Sequence, residues 1–469
     1  MASPSSFSVI IVGGGIGGLT MALSIAHHVP GLKQITVYEQ APQYGEIGAG
    51  IGIGVNAGRI LKRLGVYDAA SAISGNRNGI HRQLRRWDTG EEIVTVRAMD
   101  ETEDGVRQLS VHRAELLDVL LAKIKDTSCA QLVTNKRAVE VVDSSDDQAT
   151  VHFADGSSAS ANLIVAADGI HSALRQQLAK DIDTPVRYSG RIAYRGLLPL
   201  SAVADDWPYD SYAVSWLGRD KHFLAFPISR NKTLNVVAFV TKPEAELGDL
   251  RESWSSTAPR SDLEAAFAGW EPTVQRIIRA MGPNPSKWKL NDRDLLDQWV
   301  YMGGKVVLAG DAAHAMLPHQ GSGAGHAIED AFVLSQSLKS YFENPTPGGL
   351  PPYMSLYQAT RLPRAHKAQT TSRQAGEVYE MQGPDFEGLT FEQGLGVVRD
   401  KFTDRMRWVW GHDLEADVDE VKLRLGLAPP PPPLADKVAG AGAGAGAGFV
   451  DVLRPSNGMV SPRVVTTGS

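Results

Sequence analysis

A run of mostly β-branched residues, Ser8–Val12, ends in Gly13-Gly14-Gly15 and passes at once into a helical pattern from Ile16 to His28. Strand, glycine turn, helix is the opening of a βαβ unit. In Gly13-x-Gly15-x-x-Gly18 the first glycine permits the tight turn, and the second lets backbone approach a pyrophosphate. The third lets the helix pack closely on the strand. The unpaired N–H groups at the helix start then face the phosphate with a partial positive charge. A second strand, Gln34–Glu39, ends in a carboxylate 21 residues after Gly18. Glu39 is therefore placed to bind both ribose hydroxyls, and it disfavours a 2′-phosphate there. The fingerprint alone leaves flavin and nicotinamide dinucleotides both open.

Downstream, residues 109 to 122 read as an amphipathic helix with Leu116, Leu117, Leu120 and Leu121 on one side. Segments 137–143 and 149–153 read as strands, with Asp155-Gly156 as a hairpin signal. Segment 162–167 is a buried strand closed by Asp168-Gly169. Segment 187–242, rich in Tyr, Trp and Val, reads as antiparallel strands. Segment 305–309 returns to a parallel-type strand, followed by Gly310-Asp311 and a long helix through Leu338. Helices continue from Tyr353 to Leu425. The five prolines at 429–433 and the Gly/Ala alternation at 440–448 predict a polyproline spacer and a disordered tail, too poor in apolar surface to offset ordering entropy.

A chain of 469 residues can bury a large core. Its net charge of -6, without a basic run, argues against a nucleic-acid partner. Cys129 is the only cysteine, which excludes intramolecular disulfides and a cysteine-built metal site. No metal is expected. There is no uncharged apolar stretch of about 18 residues and no signal-peptide pattern, so no membrane span is expected and the default compartment is the cytoplasm.

Three separated motifs resemble the FAD-dependent aromatic hydroxylases of the para-hydroxybenzoate hydroxylase type. They are Gly13–Gly18 with Glu39; Ala167-Asp168-Gly169-Ile170-His171-Ser172; and Gly310-Asp311-Ala312-Ala313-His314-Ala315-Met316-Leu317-Pro318. Within that family the salicylate hydroxylases are the most similar in pattern, over about residues 8–427. They share Glu46-Ile47-Gly48-Ala49-Gly50, Ala193-Tyr194-Arg195-Gly196, Pro318-His319-Gln320-Gly321, Phe267-Ala268-Gly269-Trp270 and His412-Asp413-Leu414.

The resemblance implies an α/β fold: a Rossmann-like FAD-binding domain with an inserted, mainly antiparallel β substrate domain and C-terminal helices. Residues 1–186 and 291–427 would form the cofactor domain, 187–290 the substrate region and 428–469 the linker and tail. It implies FAD as cofactor and NADH or NADPH as visiting co-substrate. Gly52 and Arg113 match positions that contact FAD, Asp168 orders the cofactor groove, and Asp311 accepts from ribityl hydroxyls. Gly323 and Ala324 lie in a glycine-rich loop whose N–H groups would face the flavin edge. The implied reaction is hydroxylation of an electron-rich aromatic acid with O2, foremost salicylate to catechol with loss of CO2. Arg195 matches a substrate-anchoring arginine, fitted to a carboxylate or phenolate. His319, with an ordinary pKa of ~6.5, is placed to take a phenolic proton. Phe226 stands where some dearomatising relatives carry a tyrosine, which favours simple or decarboxylative hydroxylation. Two alternatives stay open: a hydroxylase of a larger phenolic polyketide, and a nucleotide-binding protein without catalysis.

Overall fold

The computed structural model describes residues 3–427, apart from 45–48, 76–78, 100, 104, 210–212 and 249–255. The proline run and the Gly/Ala tail therefore lie outside the described residues, as does most of 46–50. The opening strand Ser8–Val12 sits inside a six-stranded sheet ordered Val300–Tyr301, Val306–Leu308, Leu163–Ala166, Ser8–Val12, Gln34–Tyr38, Ala130–Val133. All neighbours run parallel except the first pair. Its central strands are buried on both faces, which explains why they read as continuous apolar runs. In such a sheet the turns after the strands share one edge. Gly13, Glu39, Asp168 and Asp311 all follow the carboxyl ends of neighbouring strands. Helix Ile16–His28 packs on helix Gly323–Glu343 so closely that a Cβ on Gly17 would lie 3.1 Å from that of Ala327.

The second, seven-stranded sheet is ordered Ser286–Asp292, Arg187–Pro199, Thr233–Thr241, Lys221–Ile228, Ala213–Gly218, Ile80–Arg86, Glu92–Arg97. One face carries Tyr194, Trp216, Phe223 and Val236 into a core with Leu263, Val274 and Ile277 of the helices Arg260–Ala266 and Pro272–Ala280 and with Phe267 just after the first. Alternation along the strands turns Ala193, Val237, Phe239 and Trp288 to the opposite face, where they meet Leu317 just before the third motif's loop.

Three sequence expectations are corrected. Residues 109–112 are strand, not helix: Leu109–His112 pairs with Gly50–Ile53, and the helix starts at Arg113. That pairing puts the mixed apolar and polar 109–112 segment in a ladder that local periodicity cannot show. The antiparallel sheet is wider than 187–242, recruiting Ile80–Arg97 and Ser286–Asp292. Between Asp311 and the long helix the chain makes two short turns, Asp311–His314 and Pro318–Gln320, before Gly323–Glu343.

Candidate active site

The glycine turn is held by backbone collisions that only glycine avoids. A Cβ on Gly13 would lie 2.2 Å from Ala167 O, and one on Gly18 would lie 1.9 Å from Gly13 O. Gly13 also has φ 110°. Gly15, by contrast, has no atom within 4 Å of its missing Cβ and caps helix Ile16–His28, so backbone N–H groups border open space at a helix N-terminus. Beside them the Glu39 carboxylate accepts from Gly14 N at 2.8 Å and Ala41 N at 2.8 Å. One strand away, Asp168 Oδ2 accepts from Ala173 N at 3.0 Å, while Oδ1 is buried without a hydrogen-bond partner. Burial raises the Asp168 pKa, against hydrogen bonds from Ser172 and nearby backbone. Asp311, after the next strand, is exposed and begins a short helix.

The remaining cofactor candidates lie on helix Gly323–Glu343, which packs on Ile16–His28, and on or just after the strand pair tied to it. Gly52 lies in the Gly50–Ile53 strand, opposite Ser110. Arg113 starts the helix that follows the partner strand, and its N–H donates to Ala49 O at 2.8 Å. Gly323 and Ala324 form the first turn of helix Gly323–Glu343, both half-buried. Asn56, in helix Val55–Arg63 just after Ile53, donates to Glu329 Oε1 at 2.6 Å, tying the 50–53 strand to that helix. Open space at a helix N-terminus, one unpartnered carboxylate oxygen and glycines where backbone comes close suit a flavin dinucleotide.

The FAD binding domain family matches residues 6–372. A salicylate hydroxylase of Pseudomonas putida is 35% identical over 432 residues, covering 87% of this chain and 93% of the relative. A 6-hydroxynicotinate 3-monooxygenase of Bordetella bronchiseptica is 33% identical over 386 residues, 81% of this chain and 94% of that protein. Among solved structures, a salicylate hydroxylase substrate complex superposes with a TM-score of 0.75 at 29% identity, covering 89% of this chain and 98% of the other. This chain belongs to the FAD-dependent aromatic monooxygenases. FAD is its cofactor and NAD(P)H its co-substrate. A nucleotide-binding protein without catalysis is thereby set aside.

Two buried charge networks brace the monooxygenase's cofactor edge. Asp330 Oδ2 accepts from Gly310 N at 2.8 Å and lies 2.7 Å from His314 Nε2, while its Oδ1 accepts from Arg361 at 2.8 Å. Glu329 accepts from Arg361 at 2.6 Å and from Arg364 at 2.8 Å. Burial alone would raise both carboxyls, but the neighbouring Arg361, with His314, holds Asp330 at about 2 and, with His326 and Arg364, holds Glu329 below the usual carboxylate range. In the second network Asp183 takes Arg175 at 2.7 Å and Arg293 at 2.7 Å. Arg175 also donates to Ala313 O and Arg293 to Ile170 O, so the second and third motifs are clamped together.

On the substrate side, His319 is 3% exposed, and neither ring nitrogen has a hydrogen bond. Its ring centre lies 5.2 Å from that of Phe239 and 5.5 Å from that of His222. Burial, with nearby His222, Arg191 and Arg82, holds its pKa well below the ordinary value, so the ring is neutral at pH 7. His222 is stacked between Phe239 and Tyr379 at 4.2 and 4.8 Å, and Nδ1 lies 3.1 Å from buried Glu380. Arg195 stands on the site-facing side, opposite Val237, with its guanidinium 4.6 Å over the Trp288 ring. Sequence reasoning missed His222, Tyr379, Glu380 and both arginine networks. The spacing Arg361-x-x-Arg364 in a helix with a buried face was the available signal.

Proposed function

We propose that this monooxygenase hydroxylates a small phenolic aromatic acid, with salicylate to catechol as the leading case. The observation that carries the reading is buried His319, its two nitrogens without hydrogen bonds, in the turn that leads into the glycine loop. A neutral imidazole in a dry site can accept a phenolic proton and so enrich the ring where oxygen is transferred. In the same reading Gly13, Gly15 and Gly18 seat the pyrophosphate, Glu39 the ribose, and Gly52, Arg113, Asp168, Asp311, Gly323 and Ala324 the rest of FAD. Bound FAD, reduced by NAD(P)H, supplies the activation of O2. The chain's own part is orientation, proton transfer and exclusion of water. Phe226, buried against Gly50, offers no hydroxyl to hold a phenol, in keeping with simple or decarboxylative hydroxylation. Arg195, stacked on Trp288, remains one arginine able to anchor the substrate.

For salicylate the balance is one NADH, one O2 and two protons consumed, with catechol, CO2, water and NAD+ formed. The test is NAD(P)H oxidation and CO2 release across a panel of hydroxybenzoates and larger phenols. Salicylate is expected to accelerate oxidation and to yield catechol with matching CO2. Acceleration by a larger phenol alone would overturn the salicylate assignment.

A further inference from the structure

Behind His319 lies a small cavity lined by Arg82, His81, Gln320, Tyr379, Phe402 and Arg405, among others. Arg82 is 8% exposed and makes no ion pair among the described residues; its guanidinium donates only to the Tyr379 hydroxyl and lies 5.3 Å from that ring's centre. Arg82 Nε and both His319 nitrogens are buried without hydrogen bonds, as is Gln320 Nε2. Among the described residues no carboxylate lines this cavity. A buried guanidinium without a counter-ion is costly, because the desolvation of its charge is only partly offset by a neutral hydroxyl. Such a site gains most from an anion, and the walls of Tyr379, Phe402, Val96 and Met406 suit an aromatic ring.

We infer that Arg82 is the specificity-determining anchor for the carboxylate of the aromatic substrate, with the Tyr379 hydroxyl holding that position until the carboxylate displaces it. The inference rests on the aromatic-acid reading above and deepens it. The cavity spans only about 10 Å3, so entry of a ring must separate Tyr379 from Arg82. Arg195 is turned away from this cavity, its guanidinium over Trp288 on the strand beyond its own. Its strand is four places from that of Arg82 in the sheet order, or about 19 Å at the usual strand spacing. The phenol of a ring anchored at Arg82 then meets His319 on the same cavity wall.

The experiment titrates flavin-loaded protein with salicylate, with benzoate and with uncharged phenol, following the flavin absorbance, and measures turnover in parallel. Arg82→Gln is expected to weaken salicylate and benzoate at least about thirtyfold while changing phenol little, the lower end for truncating one partner of a buried charge pair. Arg82→Lys is expected to restore part of the loss, and Tyr379→Phe to leave carboxylates bound as tightly or more so. Arg195→Gln is expected to change charged and uncharged ligands alike. Equal effects of Arg82→Gln and Arg82→Lys on salicylate and phenol, or carboxylate selectivity lost only in Arg195→Gln, overturn the assignment. Carboxylate binding through Arg82 without turnover would leave it standing and sink the hydroxylase reading of this site instead.

Discussion

His319 shows how burial decides the role of one side chain. An exposed histidine near pH 7 is a mixture of charged and neutral rings, whereas burial keeps this ring neutral. His319→Gln is expected to keep FAD, lower hydroxylation by about a hundredfold or more, and leave NAD(P)H oxidation running without product. Assays of product formed per NAD(P)H consumed check this, and unchanged coupling would remove His319 from proton transfer. A base must be neutral to act, and its folded pKa lies below 6.5, so no acidic limb due to His319 is expected between pH 6.5 and 8. The histidine was visible in the sequence as a loop residue, but its burial was not. Burial comes from Phe239, His222 and Gly376, where a Cβ would lie 2.6 Å from the His319 ring.

At the level of elements, the glycine turn and helix Gly323–Glu343 depend on different kinds of contact. Gly13→Ala and Gly18→Ala each place a Cβ against a backbone oxygen that has nowhere to move. Both variants are expected to purify with little flavin, read from absorbance; normal flavin content would contradict the close packing. The motif was legible because its constraints lie within a few residues. The brace beneath the third motif was not, since Arg361 and Arg364 reach Glu329 and Asp330 across 31 to 35 residues of chain. Arg361→Met leaves two buried carboxylates short of a partner and is expected to cost about 3–5 kcal/mol, measured by denaturant unfolding of the flavin-loaded protein. Leu109–His112 was misread for the same reason: its partner strand, not its own pattern, decides its form.

Across the whole molecule, the four motif-bearing strands of the parallel sheet were readable, because each ends in turn chemistry of its own, whereas its edge strands Ala130–Val133 and Val300–Tyr301 carry no such signal. The outer strands of the seven-stranded sheet were not, since Ile80–Arg86 finds Ala213–Gly218 only by long-range parallel pairing. Buried histidines and charges give the molecule a defined response to acid. Burial depresses His319 and His222, and lowers His28 to about 4 and His326 to about 3. In the unfolded chain each returns to ~6.5. Between about pH 6.5 and 4 the unfolded state therefore binds protons that the native state refuses, and stability falls as pH falls. For fully buried His326, with a folded pKa of about 3, the slope is about 1.4 kcal/mol per pH unit over that window, and His319 and His222 act in the same direction. The carboxyls of Asp330, Glu329 and Glu380 have lowered pKa values, so their contribution is lost only at lower pH. Urea unfolding at pH 7.5, 6.5, 5.5 and 4.5 is expected to show a plateau followed by a steep decline, and His319→Gln is expected to make that decline shallower by one histidine's share. Stability that holds or rises from pH 6.5 to 4.5 would mean that these rings are charged inside the folded protein, and His319 could not then serve as the proton acceptor.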